Sequence, residues 1–274
     1  MSAPAGPAAS GVITLITDFG EQDPFVGVMK GRILGRNAAA RVIDLTHQIP
    51  PHWPAEAGFW LQRAFAYFPP GTVHVAVVDP GVGTSRDILV AVIAGHLFLA
   101  PDNGLLAPLV NRHADAQVFR LQPEGLARLG ITRVSATFHG RDIFAPVAAE
   151  LAAGRCHPAQ LGQITAHASL VPAWVEEPVV ETASVLGVVI TIDHFGNLIT
   201  NIDGTLLERF RLPLVRAGHL ALPVLKTYGE RRPGEYLALV NSFGVLEIAR
   251  AEQSAADGLG LGRGAPVTVR DRTQ

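Results

Sequence analysis

The stretch VITLITDFGEQDPFVGVMKGRILGRNAAARVIDL, residues 12–45, decides the fold class. Val12 to Thr17 is an apolar, β-rich run stopped by Asp18-Phe19-Gly20, the pattern of a buried strand. Phe25 to Asn37 places apolar residues near helical spacing and carries Lys30 and Arg32, so a helix is expected there. Arg41 to Leu45 reads as a short second strand. Strand, helix, strand is the unit of a parallel sheet, because parallel neighbours need a long crossover between them.

The alternation continues outward. In Trp53 to Phe68, Ala57, Trp60, Leu61, Ala64 and Phe68 fall three or four apart, which suits a helix ended by Pro69-Pro70-Gly71. Thr72 to Val78 is a third strand, Ile88 to Ala94 and His96 to Ala100 form a hairpin around Gly95, and Ile143 to Ala153 is a helix closed by Gly154. Beyond Thr182 to Asp193 the apolar runs are short and separated by Gly or Pro, with one brief helical candidate at Asp203 to Phe210 and a loop at Gly258 to Gly264. The expected organisation is a disordered tail at 1–11 and an α/β N-terminal domain with a mostly parallel central sheet at 12–168. A linker at 169–181 and a smaller all-β, barrel-like C-terminal domain at 182–274 complete it.

Composition narrows the partners. With 48% apolar and 17% charged residues the chain is no disordered segment, and a net charge of −2 leaves no global field to recruit nucleic acid or an anionic membrane. The first ten residues lack the features of a signal peptide, and the longest apolar stretch, Ile88 to Ala100, is broken by Gly95 and His96, short of a membrane span. One cysteine, Cys156, allows no intrachain disulfide and no cysteine-held metal. The ten histidines include no HExxH motif, so no metal is expected, and a cytoplasmic setting is.

Polar clusters stand where open α/β sheets place their ligands, at the ends of strands. Asp18, directly after the first strand, can accept two hydrogen bonds from a diol or serve as a turn former. In DPGVGTSR (79–86) two glycines free the backbone to approach a ligand, while Asp79 and Arg86 bracket the loop as a working pair or a structural ion pair. No Gly-Lys-Ser/Thr follows, so this is no phosphate loop. In TFHGRD (137–142), His139 suits a general base, a relay or an orienting donor, and Asp142 reads first as a helix cap. PDNG (101–104) is a turn signal. In the C-terminal half, Asp193 to Asn197 and Asn241 to Gly244 again set polar side chains beside glycine, and Asn197 offers both a donor and an acceptor. A serine hydrolase is disfavoured because no G-x-S-x-G elbow is present.

Taken in order, ITLITDFG (13–20), VGVMKG (26–31), VIDLTHQIPP (42–51), FPPGTVHVAVVDPGVGTSR (68–86), PDNGLL (101–106), TFHGRDIFAPVAA (137–149), DHFGNLITNI (193–202) and NSFGVLEIA (241–249) resemble the S-adenosylmethionine hydroxide adenosyltransferases, relatives of the fluorinating and chlorinating enzymes. The resemblance implies attack of water or hydroxide on ribose C5′ of S-adenosyl-L-methionine, releasing adenosine and L-methionine, with no cofactor beyond that substrate. It also implies a homotrimer with the ligand between subunits. The family's catalytic trio falls on Asp79, Arg86 and His139, its ribose ligand on Asp18, its methionine-end groups on Asp193 and Ser242, and an adenine contact on Asn197. Two positions depart from the halogenating relatives, which carry a serine near Phe25 and commonly an arginine at Phe243. A halogenase on the same scaffold and a non-catalytic S-adenosylmethionine or adenosine sensor are the alternatives.

Overall fold

The computed structural model describes residues 7–272, so the first six residues of the expected tail lie outside the described residues. The chain divides into two compact units, Met1–Trp174 and Val175–Gln274. Within the first unit Ser10 N donates to Gly71 O (3.3 Å), tying the residues before the first strand to the domain. The expected linker at 169–181 is shared between the units. Val171 N donates to Asp102 Oδ1 (3.0 Å) and Trp174 Nε1 to Asn103 O (2.6 Å), whereas Val179 and Val180 pair with Leu186 and Val185 of the second unit.

The first unit runs β1 (Val12–Thr17), α1 (Phe25–Arg36), β2 (Arg41–Thr46), α2 (Pro54–Ala64), β3 (Val73–Val77), β4 (Ile88–Ile93), β5 (His96–Pro101), α3 (Ala107–Asn111), β6 (Gln117–Leu121), α4 (Pro123–Arg128), α5 (Ala145–Ala152), α6 (Pro158–Leu161) and β7 (Gly162–Thr165). Its sheet has the order β2-β1-β3-β5-β4-β6-β7. The first four are parallel neighbours, and only β4 and β7 run against the rest, so the sheet is mostly parallel as expected. β1 shows why its run had to be apolar throughout. Ile13 and Leu15 pack with Met29 and Ile33 of α1 and Val147 of α5, while Ile16 faces the other way onto Ala57 and Leu61 of α2. The chain leaves β1 for β2 on one side and returns to β3 on the other. The carboxyl ends of β1 and β3 therefore form the switch point at which such sheets bind ligands.

On the α2 side a polar chain crosses the core: Thr14 Oγ1 lies 2.8 Å from His74 Nδ1, and His74 Nε2 lies 3.2 Å from His96 Nδ1. Burial, with a smaller push from His96, drives the His74 pKa down to about 3, so the ring is neutral when folded. An unfolded chain takes up that proton near the ordinary imidazole value, and the folded chain does not. This contribution to stability is complete well above pH 6.5 and is lost as pH falls toward 3, the loss reaching about 2 kcal/mol by pH 5. Urea midpoints are expected to fall from pH 7 to pH 5, with a shallower fall in His74→Asn; equal slopes in the two proteins would remove His74 as the cause.

The second unit contains β8 (Val179–Val180), β9 (Ser184–Ile192), β10 (Leu198–Asp203), β11 (Pro213–Ala217), β12 (Leu220–Leu225), β13 (Tyr236–Val240), β14 (Val245–Arg250), α7 (Ala255–Leu259) and β15 (Pro266–Asp271). The order β10-β14-β13-β12-β11-β15-β9 closes through pairing of β9 with β10, giving a seven-stranded barrel around Val185, Leu198, Val215, Leu246 and Ile248. Closure leaves these strands without a free edge. The expected loop at Gly258 to Gly264 begins inside α7. Its signals were local: Ser254 accepts a hydrogen bond from Asp257 N (3.1 Å), and Gly260 closes the helix at φ +63°.

Candidate active site

At the end of β1 the backbone turns through Asp18-Phe19-Gly20, and His47 holds that turn twice. Its Nδ1 lies 2.8 Å from the buried Thr17 Oγ1, which accepts from Phe19 N (3.3 Å), and its carbonyl accepts from Gly20 N (2.9 Å). Asp18 is thereby presented beyond the strand, half-buried, with Oδ2 accepting from His52 N (3.0 Å). His52 takes a left-handed backbone (φ +64°), which a residue with a side chain adopts only at some cost.

At the end of β3 the loop from Asp79 folds back on itself. Arg86 Nε donates to both Asp79 carboxylate oxygens (3.0 Å each), and Arg86 Nη2 donates to Asp79 Oδ2 and to His139 Nδ1 (2.7 Å). The Asp79 and Arg86 side chains are only 4% and 10% exposed, so this is a desolvated, forked pair rather than a surface one. Two supports fix the loop. Asn103 Nδ2 donates to Val78 O (2.8 Å), and Gly83, at φ +77°, lies so close to the segment before His139 that a Cβ would stand 2.1 Å from Ala136 O.

His139 caps a π-helical turn, Gly140–Phe144, that leads into α5. Burial, then the Arg86 guanidinium, lower its pKa from the ordinary imidazole value. A guanidinium has only donors, so His139 Nδ1 accepts and Nε2 carries the hydrogen. Asp142 is the acid in the first turn of this helical segment, where a helix N-terminus favours one, but the cap position itself is His139; the Asp142 carboxylate instead accepts from Ser135 N (2.9 Å) and is paired with Arg141. That Arg141 bond, more than any other cause, holds its carboxyl well below the usual range.

These elements enclose a cavity of about 320 Å³ lined by Asp18, Asp79, His52 and His139 among polar residues and by Phe19, Phe25 and Phe138 among apolar ones. Arg86 is not in the lining; it stands behind Asp79 and His139 and joins them. His52, Phe19 and Phe138 carry no signal of the cavity in sequence, because nothing in the local pattern distinguishes a cavity wall from core; Phe25 stands out only as a departure from the halogenating relatives.

In the second unit Asp193 Oδ1 accepts from Phe195 N and Asn197 N (2.9 Å each), and its Oδ2 accepts from Asn197 Nδ2 (2.9 Å). Asn197 is buried at 6% exposure and lines a cavity of about 530 Å³ with Phe195, Tyr228 and Arg250. Ser242 is exposed on the turn between β13 and β14, and neither it nor Asp193 lines that cavity. Asn241 Nδ2 donates to the buried Glu247 (3.1 Å), which also accepts from Tyr228 OH (2.6 Å); burial raises the Glu247 pKa. Among the described residues no group of three or more His, Cys, Asp or Glu could hold a metal, and no helix is long and apolar enough to cross a membrane.

Comparison with known proteins agrees with this architecture. Residues 13–162 match the SAM hydroxide adenosyltransferase N-terminal domain and residues 187–268 the corresponding C-terminal domain. The chain belongs to that family. It is 38% identical over 261 residues to a Thermus thermophilus protein named (R)-S-adenosyl-L-methionine hydrolase, covering 94% of this chain and 98% of the relative. It is 27% identical over 294 residues to a fluorinase of an Actinoplanes species, covering 94% and 97%. The crystal structure of an uncharacterized conserved protein from Thermotoga maritima superposes with a TM-score of 0.85 at 36% identity, covering 94% of this chain and 99% of that one.

Proposed function

We propose that this protein hydrolyses S-adenosyl-L-methionine, of the (R) configuration named in its relatives, at ribose C5′ to give adenosine and L-methionine. The observation that carries this reading is the union of Asp79, Arg86 and His139 at a cavity that Asp79 and His139 line. A sulfonium leaves without acid assistance, so the task is to present an aligned, partly dehydrated oxygen. His139 Nε2–H donates to the water, Asp79 accepts its proton, and Arg86 fixes the two relative to each other. As the O–C5′ bond forms, the C5′–S pair returns to sulfur and methionine departs as a neutral thioether. The reading asks for no metal and no further cofactor.

Asp79 also bears on the halogenase alternative, since a carboxylate repels a poorly solvated halide by several kcal/mol. A sensor would have no use for the trio. Asp18 takes the ribose diol, and Asp193, Asn197 and Ser242 take the methionine and adenine ends. In this reading the protein acts in the cytoplasm as a homotrimer that completes each site with the C-terminal unit of a neighbour, without nucleic acid or membrane. The test is incubation with each sulfonium epimer in chloride-free buffer, then with chloride or fluoride. Adenosine and methionine are expected irrespective of halide and faster from the (R) epimer; a halogenated nucleoside, or no product with tight adenosine binding, overturns the reading.

Asp18→Ala is expected to weaken adenosine binding by about 1–3 kcal/mol through loss of two charge-assisted hydrogen bonds. Calorimetric titration measures it, and an unaltered affinity would place Asp18 outside the site.

A further inference from the structure

Phe25 is large, 43% exposed and absent from the core cluster against which Phe19 and Phe138 pack. The three rings meet edge to face, with centroids 5.3–6.0 Å apart, and all three line the cavity that Asp18 and Asp79 enter. Charge in that cavity is lopsided. Asp79 is matched by Arg86, Nδ1 of His139 accepts a hydrogen bond as the neutral imidazole does, and Asp18 forms no ion pair among the described residues. Negative charge next to aromatic rings is the chemistry that receives an onium cation, since the ring quadrupole attracts positive charge that is too weakly hydrated to resist desolvation. Phe138 already shows this use on one face, where the Arg141 guanidinium lies 5.2 Å from the ring centroid.

We infer that Phe25, backed by Phe19 and Phe138, is the specificity-determining residue that recognises the positive charge of the sulfonium and so separates the substrate from its neutral thioether counterpart. The inference rests on the proposed S-adenosylmethionine reading and adds to it which residue senses the charge. The thioether, which lacks only the S-methyl group and the charge it brings, fills nearly the same space without the electrostatic attraction. Phe25 thereby also favours release of the product side, because the sulfur of the leaving methionine carries no charge.

The test compares wild type with Phe25→Leu and Phe25→Tyr, reading kcat and KM for S-adenosylmethionine and the inhibition constants of S-adenosylhomocysteine and adenosine. In Phe25→Leu the KM is expected to rise about five- to twenty-fold, while kcat and both inhibition constants stay within about twofold. Phe25→Tyr, which keeps the ring, retains the wild-type ratio. Equal weakening toward sulfonium and thioether would reduce Phe25 to an apolar wall, and no change in either would put it outside the site; both overturn the inference. Absence of adenosine formation by wild type would instead overturn the reading beneath it. Melting temperatures of all three proteins guard against misfolding, and Phe25→Ser supplies a second ring-free variant with the same expected outcome as leucine.

Discussion

Arg86→Ala is expected to lower turnover of S-adenosylmethionine by about 10²–10⁴-fold while adenosine affinity stays within about twofold, the pattern of an interaction that serves the reaction rather than binding. The magnitude follows from what one guanidinium holds. It donates to both oxygens of Asp79 and to Nδ1 of His139, residues that come from different segments of the chain. Without it the carboxylate loses its desolvated partner, and His139 loses the bond that fixes its tautomer and its Nε2–H. Arg86→Lys separates charge from geometry. A lysine supplies the cation but not the planar fork, so most of the loss should persist. Single-turnover kinetics with adenosine titration reads both quantities. Collapse of adenosine affinity in Arg86→Ala would make Arg86 a binding or purely structural residue.

Gly83→Ala is expected to cost about 1–3 kcal/mol of stability, as overpacking does, and to lower turnover at least tenfold. Gly83 combines a left-handed backbone with a neighbour, Ala136 O, only 2.1 Å from where a Cβ would stand. Neither the loop nor the segment before His139 can yield without changing the distance between Arg86 and His139. Gly130, also left-handed at φ +69° but with nothing near its Cβ position, provides the control. Gly130→Ala should show only the smaller backbone cost, roughly 1 kcal/mol, and unchanged turnover. Chemical denaturation and steady-state rates compare them; equal rates in the two variants would mean that close packing at Gly83 does not set the site.

Much of this was legible in sequence because it is local. The β1-α1-β2 unit, the β4–β5 hairpin around Gly95 and five of the seven barrel strands each declare themselves within a dozen residues, whereas β10 and β11 do not stand out as apolar runs. Asp79 and Arg86 were a visible pair at a spacing of seven. That His139, a further 53 residues along from Arg86, completes the cluster came only through family resemblance, since no local pattern encodes a contact across the sheet. The cavity wall was illegible for a related reason. Phe19 and Phe138 look like core residues in a linear chain, Phe25 differs only by standing where the halogenating relatives carry a serine, and only the fold shows that it is left uncovered. Asn103 is legible as a turn residue, yet its grip on Val78 O, at the root of the Asp79 loop, depends on β3 and β5 lying side by side.

The last β3 residue in register with β1 is Val77, opposite Thr17, and the ladder stops before Asp79. The residues assigned to the reaction thus sit outside the hydrogen-bonded ladder of the sheet, Asp79 and Arg86 on a loop and His139 at the start of a helical turn. Two relatives with different names, a hydrolase and a fluorinase, align along nearly the whole chain. Near-full-length alignment of differently named relatives fits a scaffold whose sheet is kept while the segments at its strand ends differ, so diversification here is a matter of furnishing rather than rebuilding.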